Sequence, residues 1–355
     1  MPSFEIAGRA VGDCFEPLVV AEIGINHEGS LPVAIQMADA AIDAGAEVVK
    51  HQTHIPDEEM SREALFSIPG NADVSIYEII ARCALSEDAE RALCEHVRSR
   101  GAIFISTPFS VAAVDRLERM NVPAIKIGSG ECTNAHLIRR ALETGLPLII
   151  STGMHNIQSL MPTVAMAREA KVPFALLHCT NLYPTPPELV RLGGLYELKN
   201  AFPDAVIGLS DHSESIYPAL ASVALGAAIL ERHFTDRGDR PGPDISSSMT
   251  PRELLELRHA ASIVWRASGG SKAMLEEERV TADFAFGSIV TRIELRPGDI
   301  LAPEHLVVKR PAGGDFGPDD LDRLLGRKVL AHVEANSQLP AFAVGMNEVS
   351  NVSQA

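Results

Sequence analysis

Eight times between Leu18 and Gly270 a short apolar run is followed by an amphipathic stretch. The runs are "LVVAEIG", "EVVKHQT", "AIFIST", "AIKIG", "LIIST", "ALLHCT", "VIGLS" and "AILERHF". Near-continuous apolar runs of this length suit strands buried on both faces, and strands that alternate with helices pair in parallel. Helices are expected over "LPVAIQMADAAIDAG" and "SEDAERALCEHVRSRG", then near Val111–Met120, Asn134–Thr144, Ile157–Ala170, Pro187–Ala201 and Ser215–Leu225, with a last one from Thr250. Eight such units in this length predict an α/β fold, a (β/α)8 TIM barrel. An open doubly wound sheet fits less well, because the first turn reads "EIGINHEG" and not GxGxxG.

The pattern changes after the eighth unit. "SGGSKAMLEEERVT" is polar and carries Gly and Ser, as a linker does. Beyond it, short β-like runs are broken by Pro-Gly, Gly-Asp and Gly-Gly turns. This predicts a barrel domain over 1–270, a linker over 271–282 and a small, mostly β domain over 283–355, with a loose tail in "MNEVSNVSQA". The net charge of −16 argues against a nucleic-acid partner and requires that any anionic substrate be held by cations placed locally. The longest apolar run, Ala219 to Leu230, is broken by Ser222 and Gly226 and is too short to cross a bilayer. With no basic-then-apolar leader and five cysteines that form no CxxC pair, the expected setting is the cytoplasm, with reduced thiols.

In a barrel, chemistry gathers at the C-terminal ends of the strands, where buried polar groups are costly unless they are used. The eight ends offer Glu22; Lys50 and Gln52; Ser106 and Thr107; Lys126 followed by Ser129 and Glu131 in "GSGE"; Ser151 and Thr152; His178 followed by Asn181 and Tyr183; Ser210, Asp211 and His212; and His233. Two strand lysines beside hydroxyls and the small "GSG" and "STG" loops point to an anion site more than to a structural ion pair. Glu22 is either a structural partner of Lys50 or a general acid/base. His212 and His233 lie on adjacent strands. Either they are core histidines, or they are two ligands of Mn²⁺, Zn²⁺ or Fe²⁺ that leave positions open for substrate and water. Asp244, in "RPGPDI", is a third ligand, a sugar-hydroxyl acceptor or a solvated loop carboxylate. His178 and His51 are further candidates, with His51 expected to face away from Lys50.

These motifs, in this order, resemble the sialic acid synthase family. The matching segments are "AEIGINHEGS", "GAEVVKHQTH", "PGNADVSIYEI", "FISTPFS", "KIGSGE", "STGM", "LLHCTNLYPTP", "GLSDHS", "ERHFTDR" with "RPGPDI", and "VVKRPAGGDFG". The resemblance covers nearly the whole chain, and the small domain looks like the antifreeze-like (SAF) module of these enzymes. It implies an N-acetylneuraminate synthase that condenses phosphoenolpyruvate with N-acetylmannosamine and releases phosphate. Synthases of legionaminic or pseudaminic acid, which use diacetamido-trideoxyhexoses, share most of the motifs. The resemblance implies that His212 and His233 hold a divalent metal, Mn²⁺ or Mg²⁺. It places Lys50, Thr107, Lys126, Ser129, Ser151, Asn181 and Ser210 around phosphoenolpyruvate. Gln52, Glu131, Tyr183 and Asp244 then surround the amino sugar, and Glu22 is the acid/base carboxylate. Arg310 would reach the barrel of a partner in a domain-swapped homodimer, although Ala312-Gly313 departs from the Gly-Asn that close relatives carry there. Two other readings of the residues are a Schiff-base aldolase using Lys126 with pyruvate, and a non-catalytic carbohydrate or ice binder.

Overall fold

Strand alternation decides which side chains fill the barrel. In the computed structural model, which describes residues 1–69 and 73–346, eight parallel strands close into a barrel: β1 (Leu18–Gly24), β2 (Val48–Thr53), β3 (Ile103–Pro108), β4 (Ile125–Ile127), β5 (Leu148–Ser151), β6 (Phe174–Cys179), β7 (Val206–Asp211) and β8 (Ile229–His233), with β8 pairing back onto β1. Successive residues of a strand point to opposite faces. Leu18 and Val20 pack with Val48, Ile105, Ala124, Ile149, Leu177 and Ile229 inside the barrel. Val19, Ala21 and Ile23 pack outward in the layer that contains Val49, Phe104, Ile125 and Ile150. Continuing the inward line along each strand gives Glu22 above Val20, Lys50 above Val48, Thr107 above Ile105, Lys126 above Ala124, Ser151 above Ile149 and Glu231 above Ile229. The barrel is therefore apolar in its lower part and polar at one mouth.

The lower end is closed. A short antiparallel pair, Ser3–Ile6 with Arg9–Gly12, precedes β1. Its Phe4, Ile6 and Val11 join the interior cluster with Leu18 and Val20. Burying a side chain of this size stabilises by about 1.5–3 kcal/mol, so the plug is part of the core.

The outer ring is α1 (Leu31–Asp43), α2 (Glu87–Ser99), α3 (Val111–Arg119), α4 (Ala135–Glu143), α5 (Ile157–Ala170), α6 (Gly193–Ala201), α7 (Tyr217–Ala224) and α8 (Pro251–Ala267). Their starts are marked in the sequence: Ser86, Ser110, Asn134 and Asn156 each accept a hydrogen bond from a first-turn backbone N–H. The helix expected over Pro187–Ala201 is interrupted. Pro187–Val190 is a single turn, Arg191 adopts a left-handed conformation, and α6 restarts at Gly193. Pro186 and Pro187 favour a start but offer no amide to extend it backwards.

On the outside of the barrel a buried relay ties the loop after β1 to β2 and α2. Gly29 donates its N–H to His27 Nδ1 (3.1 Å), so His27 Nε2 carries the proton and donates to His51 Nε2 (3.1 Å). His51 Nδ1 then donates to Glu90 (3.1 Å), which also accepts from Arg116 at 3.2 Å. Burial, with His51 beside it, pushes the His27 pKa down to about 3. An unfolded histidine takes a proton near pH 6.5, so this contribution to stability is complete above that value and is lost as pH falls towards 3. The urea-derived stability gap between the wild type and His27→Gln should narrow by about 2 kcal/mol between pH 7.5 and 5. A constant gap would show that His27 takes up its proton in the native state at the same pH as in the unfolded chain.

The chain divides into two compact units, Met1–Gly269 and Gly270–Ala355. The second begins with helical turns, Glu276–Glu278 and Arg279–Ala285, over most of the segment expected to be a linker. Its sheet is one antiparallel pair, Ser288–Thr291 with Leu306–Lys309, extended by single bridges from Val290, Leu295 and Ile300. Ile289, Leu295, Leu306, Phe316, Leu324 and Val329 form its core. The tail from Asn347 and the Gly70–Ala72 part of "PGNADVSIYEI" lie outside the described residues. Among the described residues no helix is long and apolar enough to cross a membrane.

Candidate active site

The polar mouth is a cavity of about 230 Å³. Larger hollows of about 610 and 710 Å³ lie beside Trp265 and beside His155, but neither gathers buried lysines, carboxylates and imidazoles at one point. The strand-end cavity does, and it is lined by Glu22, Lys50, Gln52, Thr107, Lys126, Ser129, Ser151, Asn181, Tyr183, Ser210, His212, His233 and Asp244. All but two of the expected residues therefore meet here. Glu131 stands apart: it accepts a hydrogen bond from Asn134 (2.6 Å) and lines a neighbouring depression with Glu59 and Phe109. Arg310 lies in the second unit, exposed, just beyond its second strand.

The lysines form the floor. Lys50 Nζ is 2.6 Å from Glu22, 3.7 Å from Glu231 and donates to Thr107 Oγ1 at 3.0 Å. Burial works against its charge, but Glu22 and Glu231 outweigh burial and raise its pKa above the ordinary lysine value. Lys126 Nζ donates to Ser151 Oγ (2.7 Å) and lies 3.4 Å from Glu231. Its pKa is lowered by burial, only partly countered by Glu231. Glu231 was not among the expected site residues, yet it bridges both lysines, and one of its oxygens has no hydrogen-bond donor among the described residues. Burial would raise its pKa, but Lys126 and Lys50 more than offset that and hold it low. The signal was present: Glu231 is two residues before His233, on the same face of β8. Cys179, also unassigned from sequence, lines the wall and is 3.1 Å from Asn181 Oδ1.

The other polar strand-end residues face outward. Asp211 pairs with Arg232 and accepts from Ser213, and both members of that pair are buried. His178 donates to the Val190 carbonyl (2.7 Å). Ser106 bonds Thr53 (2.7 Å), and His51 joins the relay to Glu90.

The imidazoles of His212 and His233 sit 5.4 Å apart, and the Tyr183 ring lies 4.1 Å from that of His212. Burial lowers both histidines to about 4, so they are neutral at physiological pH. His212 Nδ1 donates to the Thr180 carbonyl (2.9 Å), which leaves Nε2 as an open acceptor. His233 Nδ1 is buried, 3.4 Å from Asp244, and makes no hydrogen bond among the described residues. Two neutral rings with free lone pairs fit a divalent cation. Among the described residues no three His, Cys, Asp or Glu converge tightly enough to enclose one, so two ligands would leave the remaining positions open.

Asp244 is held by a side chain that the sequence did not single out. Asn26 accepts from the Asp244 amide (3.1 Å) and donates to the Phe234 carbonyl (3.2 Å) and to Ser248 (2.9 Å). It thereby ties the Asp244 loop to the end of β8. Burial raises the Asp244 pKa to about 6.

Comparison with known proteins follows this geometry. The NeuB family description matches residues 37–273 and the SAF domain description matches residues 286–341. The chain is 33% identical over 336 residues to N-acetylneuraminate-9-phosphate synthase of Homo sapiens, covering 94% of each chain. It is 33% identical over 305 residues to N,N'-diacetyllegionaminic acid synthase of Campylobacter jejuni, covering 84% of this chain and 91% of the other. The crystal structure of N-acetylneuraminic acid synthetase from Leptospira borgpetersenii superposes with a TM-score of 0.72 at 28% identity, covering 79% of this chain and 94% of that one.

Proposed function

The chain belongs to the NeuB family, and from that premise we propose that it condenses phosphoenolpyruvate with N-acetylmannosamine to give N-acetylneuraminic acid and phosphate. The observation that carries this reading is the juxtaposition, in one closed-bottomed cavity, of two buried lysines with hydroxyls on one side and two neutral imidazoles with Asp244 on the other. The first group suits an enol phosphate carboxylate, and the second suits a polyhydroxylated aldehyde. A divalent cation, Mn²⁺ or Mg²⁺, belongs in this reading on charge grounds. Glu22 and Glu231 already balance Lys50 and Lys126, so an incoming phosphate and carboxylate need positive charge from elsewhere. His212 and His233 would hold the cation, and Arg310 from the small domain of a partner copy would add a further charge in a domain-swapped homodimer. The four buried cysteines and exposed Cys14 are all free thiols, in keeping with a cytoplasmic enzyme.

The chain's own groups then divide the work. Lys50, Lys126, Ser151 and Ser129 hold the phosphate and carboxylate, with Ser210 beside Glu231 at the same depth and Asn181 at the wall. Gln52, Tyr183 and Asp244 orient the open-chain sugar so that its aldehyde carbon meets C3 of phosphoenolpyruvate. When bound, the cation supplies Lewis-acid polarisation of the aldehyde. Carbon–carbon bond formation leaves C2 electron-poor. Water adds there, and Glu22 takes its proton and passes it to the alkoxide left by the aldehyde. The tetrahedral carbon expels phosphate with its oxygen as the C2 hydroxyl becomes a carbonyl and gives its proton to the departing phosphate.

A phosphate-release assay with phosphoenolpyruvate and a panel of sugars tests the reading. The panel is N-acetylmannosamine, its 6-phosphate, and the 2,4-diacetamido-6-deoxy sugars of the manno and altro series. Phosphoenolpyruvate adds three carbons, so a 9-phosphate product such as the human relative's name implies would come from a 6-phosphate. Highest kcat/KM with free N-acetylmannosamine is expected. Preference for a diacetamido sugar would move the chain to the legionaminic or pseudaminic branch, as the Campylobacter relative suggests. Borohydride trapping of a pyruvate adduct on Lys126 would overturn the reaction class.

A further inference from the structure

A continuous line of hydrogen bonds leaves the cavity through Gln52 and ends at Glu59. Gln52 Nε2 donates to Glu22 Oε1 at 2.8 Å, and Gln52 Oε1 lies 3.1 Å from His54 Nε2. His54 Nδ1 lies 3.0 and 3.1 Å from the two carboxylate oxygens of Glu59. Donor and acceptor roles can be assigned from the Glu22 end. Glu22, 2.6 Å from the Lys50 ammonium, is a carboxylate and only accepts. That turns the amide nitrogen of Gln52 towards Glu22 and its oxygen towards the ring. A carbonyl oxygen only accepts, so His54 Nε2 carries a hydrogen. Glu59 only accepts, so Nδ1 carries one too. A ring that donates at both nitrogens is an imidazolium. The His54 and Glu59 side chains are 3% and 4% exposed, and the ring stacks on Phe109 at 4.2 Å between centroids, 16° from parallel. Phe109 itself lines the cavity.

We propose that His54 is a positioning residue that acts as a fixed cation. Held by Glu59 and Phe109, it locks the Gln52 amide so that its nitrogen always faces Glu22. Without the Nε2 hydrogen the amide oxygen has no donor and is free to turn towards Glu22, where two acceptors repel. The consequence falls mainly on the sugar side of the site: Lys126 bonds Ser151 and Glu231 and touches no member of this line, and Lys50 meets it only at Glu22, the end farthest from His54. The inference rests on the reading of Gln52 and Glu22 given above. A wild type that released no phosphate with any sugar would count against that reading, and the spectroscopic measurement below would still decide this one.

The test uses the full-length protein and the sugar that the wild type prefers. His54→Phe keeps the stacked ring and removes both donors. Its kcat/KM for the sugar should fall by about 10- to 100-fold, with the KM for phosphoenolpyruvate unchanged. Glu59→Gln should show a smaller loss of the same kind, and Glu59→Asp should restore it. In ¹⁵N-histidine spectra of the wild type at pH 7.5, the His54 nitrogens should both resonate as protonated imidazolium. If His54→Phe does not fold, Glu59→Gln identifies the signals by their shift. A neutral His54 tautomer, an unchanged sugar kcat/KM in His54→Phe, or equal losses for both substrates with a lowered melting temperature would each overturn the proposal.

Discussion

His212→Ala should reduce phosphate release by about a thousandfold, roughly 4 kcal/mol of barrier. Added Mn²⁺ should raise the melting temperature of the wild type, and His212→Ala should remove that rise. The two readouts are needed together. Ligand binding to the folded state stabilises by mass action, so the thermal shift reports on the site even in a dead enzyme. His212 is buried, donates to Thr180 through Nδ1 and lies against Tyr183, so the substitution also leaves a small void. His212→Gln fills most of that void, and separates packing from ligand loss. Near-normal turnover of His212→Ala in metal-free buffer would disprove the assignment of both imidazoles.

The second large effect comes from a residue with no side chain. A Cβ on Gly153 would lie 1.9 Å from Asn181 Oδ1 and 2.9 Å from Ser129 Oγ. Neither distance is tolerable, so Gly153→Ala must push the Asn181 amide out of its place beside Cys179. Asn181 is a flexible side chain at the cavity wall, so the fold loses little. The site loses an oriented group on the phosphoenolpyruvate side. The KM for phosphoenolpyruvate should rise by about 100-fold, in line with the cost of misplacing a positioning group by an ångström. The sugar KM should stay near its wild-type value. A double variant, Gly153→Ala with Asn181→Ala, removes the Asn181 clash and leaves only the Ser129 hydroxyl to shift, so it should be close to Asn181→Ala alone. If it is much worse, the loop itself has moved.

The barrel could be read from the sequence because its strands are uniform and its helices carry Ser and Asn at their starts. Most of the site followed from listing polar residues at strand ends, but that list mixed two faces. Ser106, His178 and Asp211 point outward, and Glu231 points in beside Lys126. Counting alternate residues back from His233 would have reached Glu231. Asn26 and His54 were out of reach, since each works through donor and acceptor geometry across loops. Nothing in "EIGINHEG" says that Asn26 will meet the Asp244 amide from a loop that follows β8. Glu131 came from the strand-end list with its sugar-binding role taken from resemblance, and Arg310 came from resemblance alone. The first faces a depression beside the cavity, and the second lies in the unit beyond Gly270.

The plug of Phe4, Ile6 and Val11 beneath the interior layer makes the cavity a blind well. Both substrates enter, and both products leave, by the same mouth. Lys50 lies one inward step below Gln52 on β2, about 7 Å back along the tilted strand and about 5 Å deeper. Whatever binds the lysines must therefore load before the molecule that binds Gln52 and Asp244, and the upper occupant blocks the retreat of the lower one. On the function proposed above, stacking of this kind would impose a compulsory order on a two-substrate reaction: the enol phosphate would load first, and the phosphate formed beneath the new sugar acid would leave only after the acid had cleared the opening.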